Sequence, residues 1–171
     1  MSKILSITNK LFSLKGTINV TDIDDNLCYQ AKGNFSFFRN KLWTVTKDGD
    51  TIFTIRKKVF SWSHTYMVSS DIGDFDLKRK SLSMKRRYYI NNGEYKDTLA
   101  VGSFWDQSFK ISQNENIIAQ SKSKAWTIRD RHAVELLDES PVTEKITVIF
   151  MLMNQLEKIR ERNQRRQSNN S

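Results

Sequence analysis

The sequence predicts a mainly β chain of about ten to twelve short strands, arranged as a sandwich or a barrel and closed by one apolar helix. Three observations predict it. A phrase of lysine, any residue, an apolar residue, serine or threonine, and another apolar residue recurs along the chain. Turn-forming clusters separate the alternating segments, and an apolar run stands alone near the C-terminus.

The phrase reads Lys10-Leu11-Phe12-Ser13-Leu14, Lys58-Val59-Phe60-Ser61-Trp62, Lys80-Ser81-Leu82-Ser83-Met84 and Lys124-Ala125-Trp126-Thr127-Ile128, with Phe35-Ser36-Phe37 as a partial copy. The steps from Ser13 to Ser61, Ser83 and Thr127 are 48, 22 and 44 residues. The match extends downstream, where Tyr66 and Val68 correspond to Tyr88 and Ile90, to His132 and Val134, and more loosely to Ile18 and Val20. Self-similarity of this kind means one supersecondary unit used several times. Alternation puts the lysine and apolar residues on one strand face and the serine on the other. A short polar break follows each copy before alternation resumes, so each unit reads as a β-hairpin.

Glycine- and asparagine-rich breaks at Asp48-Gly49-Asp50, Asp71-Ile72-Gly73-Asp74, Asn91-Asn92-Gly93 and Gln113-Asn114-Glu115-Asn116 separate the other strands. Asp22-Ile23-Asp24-Asp25-Asn26 has the look of a calcium-loop start but lacks the glycine and terminal glutamate such a loop needs, so it reads as a turn.

After Leu137 the texture changes. Ser140-Pro141 offers a helix start, and Glu144 places a carboxylate near the positive end of the helix dipole. Ile146 to Met153 is apolar on all sides but one, and a helix of that kind must be buried or span a membrane. Eight positions fall well short of the roughly 20 needed to cross a bilayer, so burial is expected, with the strands wrapped around the helix. The expected helix covers Glu144 to Ile159, with Ile146, Ile149, Phe150 and Met153 inside.

With 171 residues, 38% of them hydrophobic, the chain suits a single domain spanning about 1–160, its helix at about 143–160. The segment 161–171, polar and basic, is expected to be a disordered tail. One cysteine, Cys28, excludes an internal disulfide and fits a reducing compartment; the absence of a secretory h-region makes the expected address cytoplasmic.

Charge carries the functional contrast. Residues 56–87 hold nine cations against three carboxylates, and residues 157–171 hold five against two, so these segments supply the whole formal +9. Concentrated positive charge favours polyanions such as anionic lipid or nucleic acid, while a solvated, solubilising surface is the plainer alternative. The candidate anion-binding patch is Lys57, Lys58, Lys78, Arg79, Lys80, Lys85, Arg86 and Arg87. The search for catalytic groups returns little: His64 sits in a turn, His132 fills a packing slot, Cys28 has no base beside it, and no phosphate loop, zinc spacing or nucleophile elbow exists. No enzyme activity, cofactor or metal is expected.

The order Tyr29-Gln30-Ala31-Lys32-Gly33-Asn34-Phe35, Ile55-Arg56-Lys57-Lys58-Val59-Phe60-Ser61-Trp62, Gly102-Ser103-Phe104-Trp105-Asp106 and Trp126-Thr127-Ile128-Arg129-Asp130 resembles the LURP-one-related family of the tubby C-terminal-like superfamily, which includes phospholipid scramblases. The resemblance runs from Lys10 to about Asn154. It implies a closed antiparallel β-barrel of about twelve strands around a central C-terminal helix. Tubby-type relatives bind phosphoinositide head groups through basic side chains, but no residue of that kind maps onto a motif here, and neither the scramblase calcium segment nor its terminal span is matched. Three functional expectations stand: reversible docking on anionic phospholipid surfaces, a nucleic-acid-binding barrel using Trp62, Tyr88 and Tyr89 for stacking, or a protein-interaction scaffold reached through the basic tail.

Overall fold

In a computed structural model, the structure describes residues 2–8, 16–34, 42–58, 64–80, 86–103, 108–121 and 133–168. Lys85 and nearly all of the recurring phrase, including Trp62, Trp126 and His132, lie outside them. Twelve strands follow in chain order: β1 (Ile4–Thr8), β2 (Thr17–Thr21), β3 (Leu27–Asn34), β4 (Leu42–Lys47), β5 (Asp50–Lys57), β6 (Thr65–Ser70), β7 (Phe75–Arg79), β8 (Arg87–Ile90), β9 (Leu99–Val101), β10 (Lys110–Gln113), β11 (Asn116–Ser121) and β12 (Ala133–Leu136). Each pairs antiparallel with its sequence neighbours, and β1 pairs with β12 to close the barrel. Helix α1 (Pro141–Ser168) follows β12.

The strands form because their apolar residues alternate, and closure leaves no unpaired edge. Ile18 and Val20, Tyr66 and Val68, Tyr88 and Ile90, and Val134 are all buried, so the downstream part of the repeat supplies inward side chains on β2, β6, β8 and β12. The repeat also returns as backbone geometry. Lys58 N–H donates to the Thr65 carbonyl at 2.9 Å, and Lys80 N–H donates to the Arg87 carbonyl at 2.9 Å. These bonds stand 22 residues apart and close the β5–β6 and β7–β8 hairpins alike.

A strictly up-and-down order sorts the connections. Those after odd-numbered strands leave from one end, here called the upper end; those after even-numbered strands leave from the lower end. Helix α1 enters from the lower end, because β12 finishes there. Register irregularities at Val20/Thr21, Val45/Thr46 and Ile111/Ser112 lie on the lower side, where bulges tighten the strands toward their turns. At the upper end Gly102 has φ +97°, and a Cβ there would stand 2.0 Å from the Ser108 carbonyl oxygen, so only glycine fits.

Helix α1 threads the barrel. Ser140 Oγ accepts from Thr143 N–H at 3.2 Å and caps the start, with Asp138 Oδ2 bonded to Thr143 Oγ1 at 2.6 Å. Every residue from Ile146 to Gln155 is buried; Ile146, Ile149, Phe150 and Met153 are at most 1% exposed, as expected. The helix does not stop near residue 160, where a tail was expected, but continues to Ser168. Arginine and glutamine are good helix formers, and Arg165 and Arg166 in the last turn complement the helix dipole. No described helix is long and apolar enough to cross a membrane.

Candidate functional site

Two carboxylates flank the apolar stretch of α1, and each is clasped by the barrel. At the lower end Glu144 Oε1 accepts from Tyr29 Oη at 2.9 Å, and Glu144 Oε2 from Lys3 Nζ at 2.7 Å, with Lys47 at 3.7 Å. At the upper end Glu157 Oε1 accepts from Tyr66 Oη at 2.8 Å and Oε2 from Arg79 Nη1 at 2.8 Å; Arg160 of the helix stands at 3.6 Å. One turn on, Glu161 Oε2 accepts from Arg86 Nη2 at 2.6 Å. The thirteen steps from Glu144 to Glu157 span about 20 Å of helix.

These clasps fix the proton inventory. Burial, helped by Glu144, raises the Tyr29 phenol far above its usual range, and burial with Glu157 does the same to Tyr66. Burial acts to raise the Glu144 carboxyl, but the bonds from Lys3 and Tyr29 together overcome it and leave the group below its usual value. A carboxyl lowered on folding adds stability above its unfolded pKa, and that stability is lost as pH falls through the folded value. Glu144→Gln should therefore lose stability at pH 6 to 7 and show a flatter decline than the parent below about pH 4.5. Urea midpoints at stepped pH check this; parallel curves for the two proteins would contradict it.

The described residues of the predicted patch fall at the upper end but play different parts. Arg79 and Arg86 are tied to Glu157 and Glu161, so they anchor the helix. Lys58, Lys80 and Arg87 are exposed on the rim, Lys57 and Lys78 are half-buried beside them, and Lys85 is outside the described residues. Helix α1 adds Lys158, Arg160, Arg162, Arg165 and Arg166 at the same end, with 164–168 exposed. The upper end thus gathers twelve described cations around two carboxylates, Glu157 and Glu161. The lower end is the reverse: thirteen of the seventeen described acidic residues lie in its turns and at the helix start, against Lys3, Lys47, Lys96 and Lys145.

Other sequence candidates resolve into structure. Asp22 accepts from Asp24 N–H and Asn26 N–H at 2.9 Å each, an Asx turn, and the Asn26 side-chain bond leads in lowering its carboxyl pKa. Among the described residues no group of histidine, cysteine and carboxylate side chains could hold a metal. Burial pushes the Cys28 thiol up, away from nucleophilic character. Tyr88 is fully buried and cannot stack on a base, while Tyr89 is half-buried.

The fold and its clasped helix define a class: twelve-stranded antiparallel barrels filled by their own C-terminal helix. The chain belongs to the LURP-one-related family, whose model matches residues 3–149. It is 25% identical over 125 residues to the uncharacterized protein YxjI of Bacillus subtilis (strain 168), covering 71% of this chain and 74% of that one. The crystal structure of a protein from Arabidopsis thaliana superimposes with a TM-score of 0.62 at 17% identity, over 91% of each chain, and so shares the fold.

Proposed function

We propose that this protein is a non-enzymatic cytoplasmic module that docks reversibly on anionic phospholipid surfaces, upper end first. The observation that supports it is the segregation of charge along the barrel axis. A domain with cations at one end and carboxylates at the other is turned by the field of an anionic membrane before contact, and each cation near such a surface contributes about 1 kcal/mol. The exposed cations Lys58, Lys80 and Arg87, with the basic helical end at 162–168, are the contact group. Docking of this type agrees with the tubby-like resemblance and calls for no cofactor. Nucleic acid, the competing polyanion, fits less well because Tyr88 is unable to stack.

Co-sedimentation with phosphatidylserine and phosphatidylcholine vesicles at two salt concentrations tests the reading, with duplex and single-stranded DNA as competitors. Pelleting should need the anionic lipid and fade with salt. The triple variant Lys58→Gln, Lys80→Gln, Arg87→Gln should bind about 3 kcal/mol more weakly, at roughly 1 per charge, while its melting temperature hardly moves. Undiminished pelleting by this variant, or equal displacement by DNA, would reduce the charge to a generic polycation and end the proposal.

A further inference from the structure

The outer wall of the barrel carries a groove of about 370 Å³ across β5, β6 and β7. Two register rows form it. Arg56, Met67 and Asp76 are partners in one row, and Thr54 and Ser69 lie in the row beneath, where Ser69 Oγ donates to Asp74 Oδ1 at 2.6 Å. Alternation turns the strand residues of both rows outward, because Ile55, Val68, Phe75 and Leu77 between them are buried. A volume of this size falls at the lower end for small-molecule sites, so the groove suits a metabolite rather than a macromolecule.

Its charges are set apart and open. The backbones that carry Arg56 and Asp76 stand two strand spacings apart, about 10 Å. Met67 lies between them, 38% exposed, as an apolar floor. Among the described residues neither the Arg56 guanidinium nor the Asp76 carboxylate has an ion-pair partner. Asn92 Oδ1 accepts from the Asp76 N–H at 2.5 Å, which fixes the backbone at the edge of the groove and leaves the carboxylate open. Arg56 belongs neither to the helix clasps nor to the rim contact group. The groove thus presents one guanidinium, two carboxylates and an apolar stretch between them, an excess of one negative charge on a chain of +9. A ligand that answers every part carries one acid group, two amines and a methylene stem.

We infer that this groove binds a free basic amino acid of the lysine class, its carboxylate on Arg56, its ammonium groups toward Asp74 and Asp76, and its stem on Met67. The site lies on the barrel wall, and its occupation does not depend on vesicle docking.

Amide proton–nitrogen spectra of the full chain, titrated with L-lysine at constant ionic strength, read the site directly. Saturable shifts should appear at 54–56, 67–69, 74–76 and 92, and L-glutamate should produce none. Cadaverine, which is lysine without its carboxylate, separates the two halves of the groove. Arg56→Gln should bind L-lysine about fivefold more weakly with cadaverine binding undiminished, while Asp76→Asn should weaken both by about fivefold, the scale of one exposed ion pair. Unchanged spectra away from the groove confirm that both variants are folded. Lysine shifts that never saturate, or that fall in the acidic turns of the lower end instead, would overturn the inference, as would an Arg56→Gln variant that binds L-lysine like the parent.

Discussion

Phe150→Ala is expected to cost about 3–5 kcal/mol, the range for truncating a phenyl ring in a closed core. Phe150 is 0% exposed at the centre of α1, with Ile149 and Met151 beside it equally enclosed. The cavity cannot collapse easily, because a barrel of twelve hydrogen-bonded strands holds its circumference while the helix is fixed at both ends by Glu144 and Glu157. A loss of this size is a large share of the 5–15 kcal/mol typical of a whole domain. The check is the urea midpoint at unchanged m-value; a variant melting like the parent would mean that the helix does not fill the barrel.

Arg79→Met should be nearly as damaging, at about 3 kcal/mol, because it strands the Glu157 carboxylate at 1% exposure with only Tyr66 and the more distant Arg160 to compensate. The loss should be largely reversed in the double variant Arg79→Met, Glu157→Gln. A neutral amide oxygen still accepts from Tyr66 Oη, and no buried charge remains. A double-mutant cycle on denaturant unfolding separates the cases. Additive losses would show that Arg79 stabilises through packing of its stem alone.

Much of the fold was legible in the sequence. Alternation identified Tyr66/Val68, Tyr88/Ile90 and Ile18/Val20 as equivalent inward pairs, since strand periodicity is a local property. The length and apolarity of 146–153 required a buried helix. The helix end was misjudged because the composition of 161–168, polar and charged, resembles that of a disordered tail. A helix already nucleated and held inside a barrel extends at little cost, which composition does not reveal. The clasps were missed for a different reason. Glu144 and Glu157 bracket the apolar run, which was a visible signal, but their partners Tyr29, Lys3, Tyr66 and Arg79 lie 78 to 141 residues away in sequence.

The repeat, the alternation, the buried helix and the excess of positive charge are all readable from the residues alone, because each depends on composition or on neighbours within a few residues. How that charge is distributed in space depends on the closed barrel. Up-and-down closure sends every second connection to the same end, and so turns a charge distributed along the chain into an axial separation of cations from carboxylates. It also divided the basic residues by role: Arg79 and Arg86 face inward to hold the helix, while Lys58, Lys80 and Arg87 remain at the rim. The physical reason is that a lysine or arginine reads the same in sequence wherever it points, and only the closed barrel fixes whether it meets a buried carboxylate or solvent.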